Sequence, residues 1–215
     1  MFVYTRTGMS ALQGSLFDAG EEIGIRSLET VERTDLSDGA WVELLPGWVT
    51  GAAPLFEQLV DAVPWKSERR KMYDRTVEVP RLLAFYGEDE ALPHPVFNKA
   101  KAALSAHFAN ESGGPFLSTG FCLYRDGRDG VAWHGDTIGR SSTVDTLVAI
   151  ISLGARRRLL LRPKGGGPAR RFDVGEGDLL VMGGSCQRTW EHTIPKTVRP
   201  VGPRISVQLR PRGVT

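Results

Sequence analysis

Cysteine is scarce in this sequence: 215 residues contain two, Cys122 and Cys186. Two thiols build no disulfide framework, and no CxxC metal motif is present, so both fit a reduced, cytoplasmic setting. Long apolar runs are missing too. No stretch approaches the roughly 20 residues that a membrane-spanning helix needs, so no membrane partner is expected. Residues 1–17 lack a basic head followed by a long apolar block, which argues against a secretory signal. No internal repeat or low-complexity tract occurs, which removes solenoids and linker arrays from consideration. A strong net charge is also lacking, at only +2.

That near-neutral total conceals an asymmetry. Residues 151–215 carry 13 Lys and Arg against 4 Asp and Glu, a net +9, whereas the first 150 carry 14 against 21, a net −7. A basic final third is compatible with a phosphate-bearing partner and equally with a solvated surface. Hydrophobic and charged fractions of 41% and 24% suit a soluble globular chain. The length suits one compact domain with no clear internal boundary; residues 41–215 are expected to form it, with residues 1–40 as a peripheral extension or lid.

Periodicity divides the chain into two characters. Residues 52–63 place Leu55, Leu59 and Val63 four apart, and residues 96–109 place Val96, Ala100, Ala103, Leu104 and Phe108 at helical spacing. Residues 76–86 look extended, with Pro80 indicating an edge strand or a bend. From residue 116 onward, short apolar runs alternate with Gly, Asp and Pro, the pattern of a strand meander. Helices followed by many strands predict an α+β protein whose β part closes into a barrel or double-sheet jelly roll.

Chemistry concentrates in three places. Trp133-His134-Gly135-Asp136 sets an H-x-D pair directly after an apolar run, and alternation sends residues i and i+2 of a strand to one side. His192 lies far enough along to return on a neighbouring strand. Two His and one carboxylate on one face, leaving other positions open, is the arrangement of non-haem Fe(II) oxygenases. The close H-E-x-x-H helix of many zinc hydrolases is absent. His94 and His107 have no such partners and read as structural. In the tail, Arg204, Ser206, Gln208 and Arg210 share one face of a strand, and Ile205, Val207 and Leu209 share the other. The planar fork of Arg matches a carboxylate, so this polar row suits an acidic co-substrate beside a metal.

Taken together, Phe121–Asp136, Asp178–Pro195 and Arg204–Arg210 resemble the AlkB family of nucleic-acid dealkylating oxygenases. Leu45-Pro46-Gly47-Trp48 and Pro80–Gly87 extend the likeness upstream, over residues 41–213 in all. The resemblance implies a double-stranded β-helix (jelly-roll) core with N-terminal helices and strands packed against it. It implies Fe(II) at His134, Asp136 and His192, with 2-oxoglutarate and O2 as co-substrates. Arg204 would pair with the distal carboxylate of 2-oxoglutarate, helped by Tyr124, while Ser206, Arg210 and Cys122 would complete the co-substrate site. The implied reaction oxidises a methyl group on a base nitrogen, which leaves as formaldehyde, and so repairs alkylated DNA or RNA.

Departures accompany the likeness. Cys122 stands where family members commonly have Asn, and Ser206 and Gln208 replace Asn and Thr. Ile138 stands where repair enzymes usually place an acid that reads the damaged base. Asp145, in the loop that follows, is a candidate substitute, and Arg140 is a candidate phosphate contact. Tyr86, Trp133 and Trp190 are candidate aromatic walls for a flipped base. Arg162 belongs to a basic segment with Arg156, Arg157, Arg158, Lys164, Arg170 and Arg171 around Gly165-Gly166-Gly167, a candidate phosphate-tracking groove or a plain hairpin. The expected partner is alkylated nucleic acid and the expected state a monomer. Two alternatives remain open at this point: the same iron chemistry hydroxylating a protein or small molecule, and a non-catalytic nucleic-acid-binding module.

Overall fold

The computed structural model describes residues 22–29, 31–72, 75–111, 113–136 and 143–214. Its elements run β1 (Gly24–Ile25), β2 (Glu32–Asp35), β3 (Ala40–Leu45), β4 (Val49–Thr50), α1 (Ala52–Ala62), β5 (Lys66–Met72), β6 (Arg75–Tyr86) and α2 (Val96–His107). They continue with β7 (Phe116–Tyr124), β8 (Val131–His134), β9 (Val148–Gly154), β10 (Arg157–Pro163) and β11 (Arg170–Val174). The last are β12 (Leu179–Gly184), the single turn α3 (Cys186–Thr189), β13 (Trp190–Ile194) and β14 (Arg204–Pro211).

Eight strands form a large sheet in the order β2-β3-β12-β9-β14-β7-β6-β5, and four form a small one in the order β11-β10-β13-β8. Every pairing between neighbours is antiparallel. The two sheets face each other across Val42, Val148, Ile150, Leu159, Leu161, Leu180 and Met182, which form the inter-sheet core. On the other face of the large sheet, Leu55, Phe56 and Leu59 of α1 and Phe97, Ala100 and Leu104 of α2 pack against Phe121, Leu123, Ile151, Ile205, Val207 and Leu209. This is the expected jelly roll, with the expected helices on its outer layer. Among the described residues no helix is long and apolar enough to cross a membrane.

Local chemistry explains the elements. The helical spacing of Leu55 and Leu59 puts both, with Phe56, fully inside, and α1 stops just before Pro64. In the strands that face both cores, each face is apolar, so β9 is buried at all seven positions. Pro80 sits at a bend rather than an edge, because β6 lies between β5 and β7. The β5–β6 register jumps from Ser67↔Leu82 to Arg69↔Glu78, so Val79, Pro80 and Arg81 bulge opposite Glu68. A proline is tolerated there because the ladder asks no N–H of it.

The peripheral segment expected over residues 1–40 lies outside the described residues up to 21. Its described part contributes edge pairing: β2 binds β3, and β1 binds β4. Glu32-Arg33-Thr34-Asp35 has no apolar alternation and gave no strand signal.

Candidate active site

The open end of the inter-sheet space collects the polar residues. His134 ends β8, and His192 lies directly opposite it on β13. Their ring centroids are 4.2 Å apart. Asp136 follows two residues after His134, and the ligand atoms of the three residues all lie within 4.8 Å of one another. Nδ1 of His134 donates to the carbonyl of Ala132 at 2.8 Å, which turns Nε2 towards the other two ligands as the nitrogen that can bind a metal. The backbone N–H of Asp136 donates to Oε1 of Gln187 at 2.9 Å, and its Oδ2 accepts from Nε of Arg210 at 3.0 Å.

Electrostatics favours metal-ready protonation states. Burial opposes the charge on Asp136, yet Arg210 and the nearby histidines outweigh it and hold the carboxyl down at about 2. Burial and the neighbouring His134 lower His192 to about 3, so its imidazole is neutral. Two imidazoles and one ionised carboxylate on one face are a donor set suited to Fe(II).

The co-substrate end lies along β14. Arg204, Ser206 and Gln208 pair in register with Tyr124, Cys122 and Gly120 of β7, so all six share one face. Arg204 is completely buried, and its Nη2 donates to Oγ of Ser152 at 2.5 Å. Its Nε and Nη1 have no hydrogen-bond partner among the described residues. Burial lowers the pKa of Arg204 against the opposing effect of Tyr124. A buried guanidinium with two nitrogens unpaired is costly, and a dicarboxylate entering the pocket would satisfy them. That pocket is lined by His134, His192, Tyr124, Ser206 and Arg204. Burial pushes Tyr124 up to about 12, so its hydroxyl stays protonated and able to donate. Gln208 donates to Oγ of Ser206 at 2.7 Å and accepts from the Cys122 thiol at 3.6 Å, so the three departures from the family pattern bond to one another.

A groove of about 750 Å³ adjoins this pocket and shares Arg81, Cys122, Gln208 and Arg210 with it. Opposite Gln208, Gly120 leaves the groove floor low: a Cβ there would lie 3.1 Å from both Arg210 Nη1 and Gln208 Oε1.

Residues 42–210 match the family model described as the 2OG-Fe(II) oxygenase superfamily. The chain belongs to that superfamily. Fe(II), 2-oxoglutarate and O2 are accordingly its cofactor and co-substrates. The bovine protein named alpha-ketoglutarate-dependent dioxygenase alkB homolog 3 is 32% identical over 196 residues, covering 79% of this chain and 67% of the relative. The Arabidopsis thaliana protein named DNA oxidative demethylase ALKBH2 is 25% identical, covering 72% of this chain and 60% of the relative. The solved structure of OsALKBH1 superposes with a TM-score of 0.57 at 16% identity, covering 84% of this chain and all of that one, a likeness of fold. The AlkB resemblance in the motifs therefore holds across most of the chain.

The oxygenase motifs converge, whereas most substrate candidates do not. Tyr86 lines the groove and packs edge-on against Phe121, 5.4 Å between centroids. Trp133, on the strand position before His134, lies beneath the guanidinium of Arg162 at 4.1 Å. Arg162 is itself paired with Glu191 at 2.5 Å. Neither Trp133 nor Arg162 lines the groove or the co-substrate pocket. Asp145 pairs with Arg188 of α3. Ile138 and Arg140 lie outside the described residues.

The basic segment is also largely engaged. Arg157 is buried and donates to the carbonyls of Asp126, Asp129 and Pro195. Lys164 donates to the carbonyl of Gln187, and Arg171 pairs with Asp173. Gly165-Gly166-Gly167 all take positive φ in the β10–β11 hairpin, which favours the hairpin reading of this loop. Sequence reasoning missed Gln187, Ser152 and Arg81. A serine inside the apolar run of β9 was the one available signal, because a buried hydroxyl needs a partner.

Proposed function

We propose that this oxygenase removes methyl groups from ring nitrogens of bases in DNA or RNA, with Fe(II) held by His134, Asp136 and His192. The observation that carries the site assignment is the fully buried Arg204, whose Nε and Nη1 await an acceptor in a pocket that also reaches both histidines. In this reading Arg204 takes the distal carboxylate of 2-oxoglutarate, with Tyr124 beside it as a second donor. Arg210 fixes the Asp136 carboxylate and keeps it ionised. Nucleic acid as the substrate class is supported by the names of the relatives that match over most of the chain.

When bound, Fe(II) activates O2 together with 2-oxoglutarate, yielding succinate, CO2 and one oxygen atom for the substrate. That atom enters a C–H bond of the N-methyl group. The N–CH2OH product then breaks its C–N bond: the bonding pair returns to the ring nitrogen, the hydroxyl proton is released, and formaldehyde leaves. The chain's own residues orient the two substrates and keep the reacting methyl away from competing positions. We further propose that it acts as a cytoplasmic monomer, residues 41–215 forming one domain.

The test is succinate and formaldehyde release, with Fe(II) and 2-oxoglutarate, on a single-stranded oligonucleotide bearing 1-methyladenine or 3-methylcytosine. An unmethylated strand and His134→Ala are the controls. Coupled release of both products is the expected result. Succinate without formaldehyde on every methylated strand would redirect the assignment to hydroxylation of a protein or small molecule.

A further inference from the structure

Gln208 carries a carboxamide into the co-substrate site, on the face of β14 that also bears Arg204, Ser206 and Arg210. The side chain is 9% exposed and lines both the co-substrate pocket and the adjoining groove. Its Nε2 donates twice to one residue, to the carbonyl of Ser206 at 3.1 Å and to Oγ of Ser206 at 2.7 Å. Its Oε1 accepts from the Cys122 thiol at 3.6 Å. These bonds decide which end of the amide faces which way. A backbone carbonyl only accepts, so turning the amide over would set two oxygens against each other at Ser206.

The consequence falls on Ser206. A serine hydroxyl can give or take a hydrogen bond and rotates to suit its neighbours. Here Gln208 uses the oxygen as an acceptor and turns both amide protons towards Ser206, so the hydroxyl proton has nothing to bond on that side. Among the described residues no acceptor takes that proton. Ser206 is buried, and it lines the pocket shared with Tyr124 and the unpaired Nε and Nη1 of Arg204. Gly120 lets the amide settle there: a Cβ at that position would lie 3.1 Å from Oε1 of Gln208.

Arg204, Tyr124 and Ser206 can then all present donors to a carboxylate. A hydroxyl already held as a donor loses less freedom on binding than one that must first be turned. We infer that Gln208 is a positioning residue for 2-oxoglutarate, acting through Ser206, whose O–H it directs at a co-substrate carboxylate. This rests on the reading of Arg204 as the carboxylate site and is independent of what the oxygenase oxidises.

The experiment measures the Kd of 2-oxoglutarate by anaerobic calorimetry on the Fe(II)-loaded full chain, with KM and kcat for succinate release beside it. Compared with wild type are Ser206→Ala, Gln208→Leu, Gln208→Glu, the double variant Ser206→Ala/Gln208→Leu, and Arg204→Met. Ser206→Ala should raise Kd about 10- to 100-fold, the range for a lost bond to a charged group. Gln208→Leu should raise it about 2- to 10-fold, as for an ordinary hydrogen bond. Gln208→Glu should do at least as much harm, because its carboxylate takes the Ser206 proton for itself. In the Ser206→Ala background, Gln208→Leu should add less than about twofold, since the hydroxyl that it orients is gone. Effects that multiply in the double variant, or an unchanged Kd in both Gln208 variants, overturn the inference. Arg204→Met with wild-type affinity removes the carboxylate site and this inference with it, whereas weak binding in Arg204→Met beside intact Gln208 variants removes the inference alone.

Discussion

Arg210 donates from Nε to Oδ2 of Asp136 across 3.0 Å, with both side chains largely buried. The contact orients a metal ligand and keeps it ionised, the task of outer-sphere partners in metal sites. Arg210→Leu should lower Fe(II) affinity about 10- to 100-fold, as such partners usually do when removed. Arg210→Lys should recover only part of it, because an ammonium restores charge without the fixed planar geometry. Anaerobic Fe(II) titration reads both. Unaltered affinity in Arg210→Leu would make the pair a matter of packing alone.

Arg204 offers a sharper separation of stability from function. Its guanidinium is buried with two nitrogens unpaired, so it costs the co-substrate-free protein free energy. Arg204→Met keeps the side chain's bulk and removes the charge. The Tm of the variant without 2-oxoglutarate should equal or exceed that of wild type. The rise in Tm that 2-oxoglutarate gives wild type should vanish, and the co-substrate KM should climb at least about 100-fold, given that one charge-assisted pair is worth several kcal/mol when buried. A variant that retains the 2-oxoglutarate shift would move the carboxylate site elsewhere.

How much of this was legible in the sequence depended on whether a feature was local. The alternation of Arg204–Arg210 and the H-x-D spacing fixed faces directly, because strand period is set by the backbone. Gln187 was invisible: it reaches Asp136 only because α3 turns under the end of β8. The substrate side was only partly legible for a similar reason. Tyr86 lines the groove edge-on to Phe121, a contact made by the pairing of β6 with β7 and not written in either segment alone. The charge of the C-terminal third says less than its count, because composition counts arginines without their partners. Arg157 holds three carbonyls and Arg162 holds Glu191, so neither is spare for phosphate.

Asp145 tests the same lesson. As a substitute for the acid absent at Ile138 it would contact the base, but it is paired with Arg188, both about one-third exposed. A pair so placed contributes about 0.2–1 kcal/mol. Asp145→Asn and Arg188→Gln should therefore each lower stability by no more than about 1 kcal/mol. Both should leave the KM for methylated strands within twofold of wild type. A loss of several-fold or more in Asp145→Asn, not shared by Arg188→Gln, would return Asp145 to substrate recognition.

The pH dependence of the metal-free protein follows from His192 and Asp136. Burial and His134 hold His192 at about 3, against an ordinary value near 6.5. Below 6.5 the unfolded chain takes up a proton that the folded chain refuses, so the unfolded state binds more protons throughout the window from 6.5 to 3. Stability must then fall as pH falls, by up to about 1.4 kcal/mol per pH unit for one such group. Asp136, held at about 2, adds a second loss that begins only below its ordinary value of 3.8. Urea unfolding at pH 7.5, 5.5 and 4.5 should show the first loss in wild type. His192→Gln, which cannot titrate, should show a shallower slope over the same interval, while Arg204→Met should keep the wild-type slope. Equal slopes in wild type and His192→Gln would mean that His192 accepts its proton in the folded state, and that the neutral imidazole assigned to the metal site is wrong.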